Sequence, residues 1–124
     1  MARTCIERRM PVLKVISFGS DPELLWLRNA VLKSAGFEVI STQSHESALQ
    51  TIRQGGCSTL LVCYSAEKPV RKIVADAFRK HCPDGRIIAI TNARLEKPDF
   101  ADTFVYGVEG PEVLIEAIRQ DEIS

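Results

Sequence analysis

This sequence lacks three features: an excess of charge of one sign, long apolar runs and closely spaced pairs of cysteines. Sixteen basic and sixteen acidic residues cancel, so no strong electrostatic field favours nucleic acid as a partner. No apolar run approaches the roughly 20 residues that span a bilayer, and the basic first ten residues lack the apolar segment of a secretory signal. No C-x-x-C pair occurs, which indicates reduced thiols in a cytoplasmic protein. The cysteines are Cys5, Cys57, Cys63 and Cys82.

The sequence does contain a regular alternation of strand-like and helix-like segments. Apolar, β-branched runs predict strands, and segments that begin at a capping residue or a proline predict helices. Five such units in one chain imply right-handed crossovers and a parallel sheet. The expected strands are 12–18, 37–41, 58–63, 86–91 and 103–106, and the expected helices begin at Pro22, after Ser44, at Pro69 and at Pro111.

This pattern predicts a single α/β domain over residues 11–121, with a short N-terminal extension (1–10) and a C-terminal tail (122–124). The flavodoxin-like strand order 2-1-3-4-5, in three α/β/α layers, is the common solution for a chain of this size. The fourth unit departs from it, because only residues 92–102, with Pro98 among them, separate the last two strands. We therefore expect the fourth helix to be shortened or absent.

The first helix has a clear apolar stripe that predicts which face is buried. Its members are Leu24, Leu27, Val31 and Ala35, widened by Leu25 and Leu32. Arg28 falls inside the stripe, and we expect its stem to pack while its head group reaches solvent. The opposite, outer face is predicted to carry Trp26, Asn29, Ala30 and Lys33.

Four stretches of the chain carry a family resemblance: Asp21–Leu25, Leu32–Val39, His45–Leu49 and Ile87–Thr91. In their order and spacing they resemble the receiver domains of bacterial response regulators, over residues 12–120. The resemblance implies the flavodoxin-like fold and a site beyond the carboxyl ends of the strands.

Receiver domains carry two acidic residues after the first strand, an aspartate ending the third, a Thr or Ser ending the fourth and a lysine ending the fifth. The resemblance implies Mg²⁺ held by the acids, a phosphoryl group accepted by the aspartate, and charge stabilisation by the hydroxyl and the lysine. The corresponding residues here are Gly19 and Ser20 for the acidic pair with Asp21 next to them, Cys63, Thr91 and Gly107, followed by Val108 in place of a proline. Phe104 keeps the aromatic switch position.

These departures predict a pseudo-receiver, meaning a receiver fold without phosphorylation chemistry. An acyl phosphate needs a carboxylate, which Cys63 does not provide. Asp21 alone is too few carboxylates for a Mg²⁺ site, so we expect no cofactor and no enzymatic activity. Two alternatives stay open: phosphorelay through an atypical pocket, and a thiol-based sensor at Cys63. The alignment places no lysine or arginine beside that thiol, as a reactive cysteine requires.

A signalling protein is the expected partner. In receiver domains the first helix commonly meets a histidine kinase or a phosphotransfer protein, and tryptophan is enriched at interface hot spots. We therefore predict that Trp26, Lys33 and Val108 form a surface for a histidine kinase, a phosphotransfer protein or another signalling protein. Whether the chain also forms a homodimer stays open.

Overall fold

A computed structural model describes residues 14–92 and 98–123. They form a parallel sheet in the order β2-β1-β3-β4-β5 with four α-helices, which confirms the predicted flavodoxin-like fold. The predicted extension, residues 1–10, lies outside the described residues. The elements are β1 (Lys14–Phe18), α1 (Pro22–Ser34), β2 (Glu38–Thr42), α2 (His45–Gln54), β3 (Thr59–Cys63), α3 (Lys68–His81), β4 (Arg86–Thr91), β5 (Thr103–Tyr106), a 3-10 turn (Gly107–Glu109) and α4 (Pro111–Ile123).

The first two helices begin where the sequence supplies a cap. The Asp21 carboxylate accepts hydrogen bonds from two amides in the first turn of α1, at 3.0 and 3.3 Å. Pro22 follows it at a position where the missing N–H of proline costs nothing. The Ser44 hydroxyl accepts a hydrogen bond from the amide of Ser47 at 3.2 Å and caps α2. These caps fix where the chain turns from a strand end into a helix.

The sheet is covered on both faces, which gives the three predicted layers. One face packs against α2 and α3, and its buried residues include Ile16, Phe18, Leu60, Val62 and Ile87. The other packs against α1 and α4, and its buried residues include Val15, Leu61, Ile88, Ile90 and Val105. Every residue of β3 is buried, as expected for the central strand of a doubly covered parallel sheet.

The predicted buried face of α1 is confirmed at Leu25 and Leu32 but wrong at Leu27 and Asn29. Leu27, placed by the prediction in the core, is 57% exposed, whereas Asn29, predicted to lie outside, is buried. The face of α1 that packs on β1 and β2 includes this polar residue. A prediction from apolar residues alone therefore favoured the adjacent face of the helix. Trp26 is 71% exposed, and its predicted position on the outer face is confirmed. The residues of α1 that are buried are Leu25, Asn29 and Leu32.

The connection between β4 and β5 has no helix among its described residues, which are Asn92 and 98–102. Arg79, near the end of α3, donates two hydrogen bonds to the Asp102 carboxylate and one to the Phe100 carbonyl, at 2.8–3.0 Å. Asp102 also accepts a hydrogen bond from the amide of Ile87 at 2.8 Å. These contacts hold the last residues of the connection, Phe100 and Asp102, against α3 and β4.

The final helix continues to Ile123, past the domain boundary predicted at residue 121. None of the helices within residues 14–92 and 98–123 combines the length and the apolar character needed to cross a membrane.

Candidate functional site at the carboxyl edge of the sheet

The parallel register brings the ends of β1, β3, β4 and β5 to one edge of the sheet. The predicted pocket positions therefore share this edge. Phe104, the predicted aromatic switch, lies within β5, the last strand in the sheet order, where it pairs with Ala89 of β4 and is partly exposed. The pocket positions at or just beyond the edge are Gly19, Ser20, Asp21, Cys63, Thr91 and Gly107.

Gly19 and Cys63 pack closely against each other. A Cβ atom built at Gly19 lies only 2.9 Å from the Cβ of Cys63 and 2.9 Å from the Oγ of Ser65. In a close-packed interior, contacts that short force the neighbours to move. The position that carries an acidic residue in receiver domains is therefore closed to any side chain unless Cys63 and Ser65 shift.

Ser65, in the loop after β3, engages the backbone amides of the loop after β1. Its hydroxyl accepts hydrogen bonds from the amides of Ser20 and Asp21, at 3.0 and 3.4 Å. The Oδ1 of Asp21 is itself engaged in capping α1. Ser65 could not be predicted from the sequence, because a single hydroxyl residue in a loop carries no recognisable signal. Its role depends on the loop after β1, which is close in space but 45 residues away along the chain.

Arg28 places a guanidinium group beside Cys63. Its Nη2 donates a hydrogen bond to the Cys63 Sγ at 3.4 Å, while its Nη1 is buried and has no hydrogen-bond acceptor in the part of the chain that the structure describes. Two predictions are therefore wrong. The head group of Arg28 was expected to reach solvent but turns inward, and no arginine was expected beside Cys63, where Arg28 lies. The reason is the path of α1, which starts beside this edge and carries Arg28, two turns after the cap, towards the end of β3.

Thr91 and Gly107 lie together on the other side of the edge. Thr91 is buried, and a Cβ atom built at Gly107 lies 3.3 Å from its carbonyl oxygen and 3.5 Å from the ring of Tyr64. The lysine position of receiver domains thus holds a residue without a side chain, close against the end of β4. Arg28 on α1 does bring a guanidinium group to this edge, beside Cys63.

The predicted partner surface is described in part. Trp26 and Lys33 are both exposed on α1, whereas the side chain of Val108 lies outside the described residues. Leu27 is also exposed, next to Trp26 in the sequence. Single exposed apolar side chains are normal on protein surfaces, but adjacent large ones are typical of a surface that meets a partner.

The described residues contain no other site with evident metal or thiol chemistry. No group of three or more His, Cys, Asp and Glu side chains in this part of the chain could hold a metal ion. Cys57 lies at the opposite edge of the sheet, where burial first, and then the neighbouring Cys82 thiol, raises its pKa. A raised pKa lowers the fraction of reactive thiolate.

The comparisons with known proteins agree with the fold. No protein-family model and no curated protein matches the sequence. Response regulator protein TrrA from Thermotoga maritima, in complex with Mg²⁺-BeF, matches with a TM-score of 0.77 at 20% identity over 89% of this chain and 99% of that one. A CheY-like receiver domain protein from Methanospirillum hungatei matches with a TM-score of 0.78 at 20% identity, over 89% and 93% of the two chains.

A complex of histidine kinase ThkA with TrrA also matches, with a TM-score of 0.77 at 19% identity over 89% and 98% of the chains. The chain has the receiver-domain fold. In this receiver fold, Gly19, Cys63 and Thr91 lie at the carboxyl edge of the sheet, which is where doubly wound folds bind their ligands.

Proposed function

We propose that this chain is a pseudo-receiver, a non-enzymatic protein-interaction module in bacterial two-component signalling that works in the cytoplasm without being phosphorylated. The contact between Arg28 and Cys63 carries the proposal. Receiver chemistry needs an aspartate at the end of β3 and a metal ion beside it. Here the end of β3 carries Cys63, which forms no acyl phosphate, and the group beside it is the Arg28 guanidinium.

The chemistry of the edge argues against phosphorylation. Receiver phosphorylation needs a carboxylate nucleophile at the end of β3, and the residue there is Cys63. A side chain at Gly19 meets Cys63 and Ser65 at 2.9 Å, so an acidic residue does not fit beside it. The edge therefore lacks the phosphoryl acceptor and one of the acidic ligands.

The charges at the edge also argue against Mg²⁺. The ion prefers octahedral oxygen ligands and is usually held by one or two carboxylates with several waters. Asp21, the carboxylate at this edge, uses its Oδ1 to cap α1. The Arg28 guanidinium adds a positive charge beside Cys63. A nearby positive charge opposes the binding of a cation. The domain is therefore proposed to act without a metal cofactor.

Binding of a signalling protein remains as the function. The exposed Trp26 and Lys33 lie on α1, and the matching protein TrrA has been solved in complex with the histidine kinase ThkA. We propose Trp26, Lys33 and Val108 as the partner surface, and a histidine kinase, phosphotransfer protein or other signalling protein as the partner. A second copy of the chain is a further candidate, which light scattering of the pure protein distinguishes from a different partner.

A titration of the ¹⁵N-labelled chain with Mg²⁺, and then with Mg²⁺ plus beryllofluoride, tests the proposal. We expect no saturable shifts in the amide resonances of Gly19, Ser20, Asp21, Cys63 and Thr91. A receiver domain with its full acidic set, titrated in parallel, controls for the activity of the reagents. Saturable shifts at those residues that spread to Phe104 would overturn the proposal in favour of phosphorelay through an atypical pocket.

The Arg28–Cys63 contact also favours a second candidate, a thiol-based sensor at Cys63. A guanidinium group beside a thiol stabilises the thiolate, which is the reactive form. Burial opposes this role, because the side chain of Cys63 is 1% exposed. Alkylation followed by peptide mass spectrometry separates the two candidates. A sensor requires Cys63 to react faster than Cys5, Cys57 and Cys82, whereas the pseudo-receiver predicts slow reaction at Cys63.

A further inference from the structure

A groove runs between α1 and the segment that leads from β5 into α4. Its cavity has a volume of about 190 Å³. Leu27 and Val31 line it from α1, and Val105 and Leu114 line it from β5 and α4. Among the described residues that line the groove, Arg28 is the charged one. The groove is therefore an apolar space with a single positive charge in its wall.

The charge of Arg28 is incompletely satisfied. Its Nη2 contacts the Cys63 Sγ, a weak acceptor, and its buried Nη1 has no acceptor within residues 14–92 and 98–123. Among the described residues, Arg28 also has no carboxylate within ion-pair distance. A buried guanidinium nitrogen without an acceptor is unfavourable. An anionic group that reached Nη1 would remove this penalty.

Two glycines keep the far wall of the groove free of side chains. Gly107 and Gly110 both line it, and Gly110 has a φ of 99°, which favours glycine. Gly107 stands at the position where receiver domains carry lysine. Neither residue therefore contributes a side chain to the groove.

We propose that this groove binds a small monocarboxylate with an aromatic or branched apolar body. The body packs against Leu27, Val31 and Leu114, and the carboxylate accepts a hydrogen bond from Nη1 of Arg28 after a small rotation of the guanidinium group. The size fits, since an apolar cavity of about 150 Å³ accommodates benzene. The charge fits because one cation in an apolar wall matches one anionic group on an apolar ligand. This site goes beyond the proposed partner function and does not depend on it.

Benzoate is the probe, with benzyl alcohol as its neutral counterpart. We expect benzoate to cause saturable shifts in the ¹⁵N-HSQC spectrum of the full chain at Leu27, Val31, Gly110 and Leu114. Benzyl alcohol should bind at least about tenfold more weakly, because it lacks the charge that pairs with Arg28. In Arg28→Gln, benzoate should fall to the affinity of benzyl alcohol, whereas the exposed Arg53→Gln on α2 should leave the affinity unchanged.

The two ligands keep the test decisive even if Arg28→Gln does not fold, because they are compared on the unaltered chain. Equal affinity for benzoate and benzyl alcohol would overturn the proposed carboxylate preference. No saturable shift with benzoate, or shifts scattered away from the groove, would overturn the site itself. Neither result bears on the pseudo-receiver proposal, which the response of Gly19 and Cys63 to Mg²⁺ and beryllofluoride decides.

Discussion

Arg79 and Asp102 are joined by two parallel hydrogen bonds, from Nη1 to Oδ2 at 2.9 Å and from Nη2 to Oδ1 at 3.0 Å. Such a bidentate pair fixes the relative orientation of the two groups as well as their distance. Arg79 lies near the end of α3 and Asp102 directly precedes β5. The pair therefore positions the last strand, in a fold whose β4–β5 connection has no helix among its described residues.

We predict that Asp102→Ala lowers the free energy of unfolding by about 1–2 kcal/mol. The substitution removes both bonds from Arg79 and leaves the amide of Ile87 without its side-chain acceptor. The expected loss of stability is modest because the side chains of Arg79 and Asp102 are 41% and 34% exposed, and solvent screens their attraction. Urea unfolding followed by circular dichroism measures the change.

The matched control for Asp102→Ala is Asp76→Ala. It breaks the exposed Lys72–Asp76 pair within α3, at 3.2 Å, and should cost less than about 0.5 kcal/mol. Equal losses in the two variants would contradict the positioning role of Asp102.

The same carboxylate makes stability depend on pH. Burial raises the pKa of Asp102, but the hydrogen bonds from Arg79 and Ile87, together with the charges of Arg79 and Arg86, outweigh burial and lower the pKa overall. A lowered pKa in the folded state means that this stabilisation is present above the unfolded-state pKa of about 3.9. It is lost as the pH falls through the lower, folded-state value.

We therefore predict that the wild type has a larger free energy of unfolding than Asp102→Asn at neutral pH. This difference in free energy, the stability gap, should become smaller as the pH falls below about 4. Urea unfolding of both proteins at a series of pH values measures the gap. A gap that stays constant across the series would show that Asp102 does not titrate with folding.

Much of the fold was predictable because its signals are local. Asp21 and Ser44 are capping residues whose partners lie within the next turn of the chain, and the apolar run of β3 marks a buried strand by itself. The buried face of α1 was only partly predictable from the same kind of pattern, which includes Leu25 and Leu32 but not Asn29. Asn29 interrupts the line that faces the sheet, and only the packing of α1 on β1 and β2 shows which line that is.

The site was predictable in position but not in content. The residues at the strand ends follow from the alternation of strands and helices, so Cys63 and Thr91 could be placed at one edge. The contacts of Arg28 and Ser65 could not, because each joins parts of the chain that only the folded sheet brings together. Arg28 looked like an irregularity in an apolar stripe, and its partner lies 35 residues away in the sequence.

Restoring the phosphoryl acceptor alone should not restore phosphorylation. In Cys63→Asp the new carboxylate lies within reach of the Arg28 guanidinium, which contacts the Sγ of Cys63 at 3.4 Å in the wild type. We predict that the variant forms this buried ion pair and takes up no phosphate from acetyl phosphate, as intact-protein mass spectrometry would report. A mass gain of one phosphoryl group would contradict the prediction.

A double-mutant cycle tests the ion pair directly. Removing one partner of a buried pair leaves an uncompensated charge and costs about 3–5 kcal/mol. Arg28→Met should therefore cost far more in the Cys63→Asp background than in the wild type, where it removes only a weak bond to sulfur. Arg53→Met, on the exposed face of α2, should cost the same in both. Additive effects of Arg28→Met and Cys63→Asp would exclude the pair.

Trp26 separates a role in binding from a role in folding. Its side chain is 71% exposed, so Trp26→Ala should change the free energy of unfolding by no more than about 0.5 kcal/mol. As a hot spot, the same residue should weaken partner binding by about 2 kcal/mol, or roughly thirtyfold. Quantitative capture of partners from a bacterial lysate, with Ile73→Ala as control on the exposed side of α3, measures the difference. If Trp26→Ala and Ile73→Ala capture the same proteins in the same amounts, the surface around Trp26 is not where the partner binds.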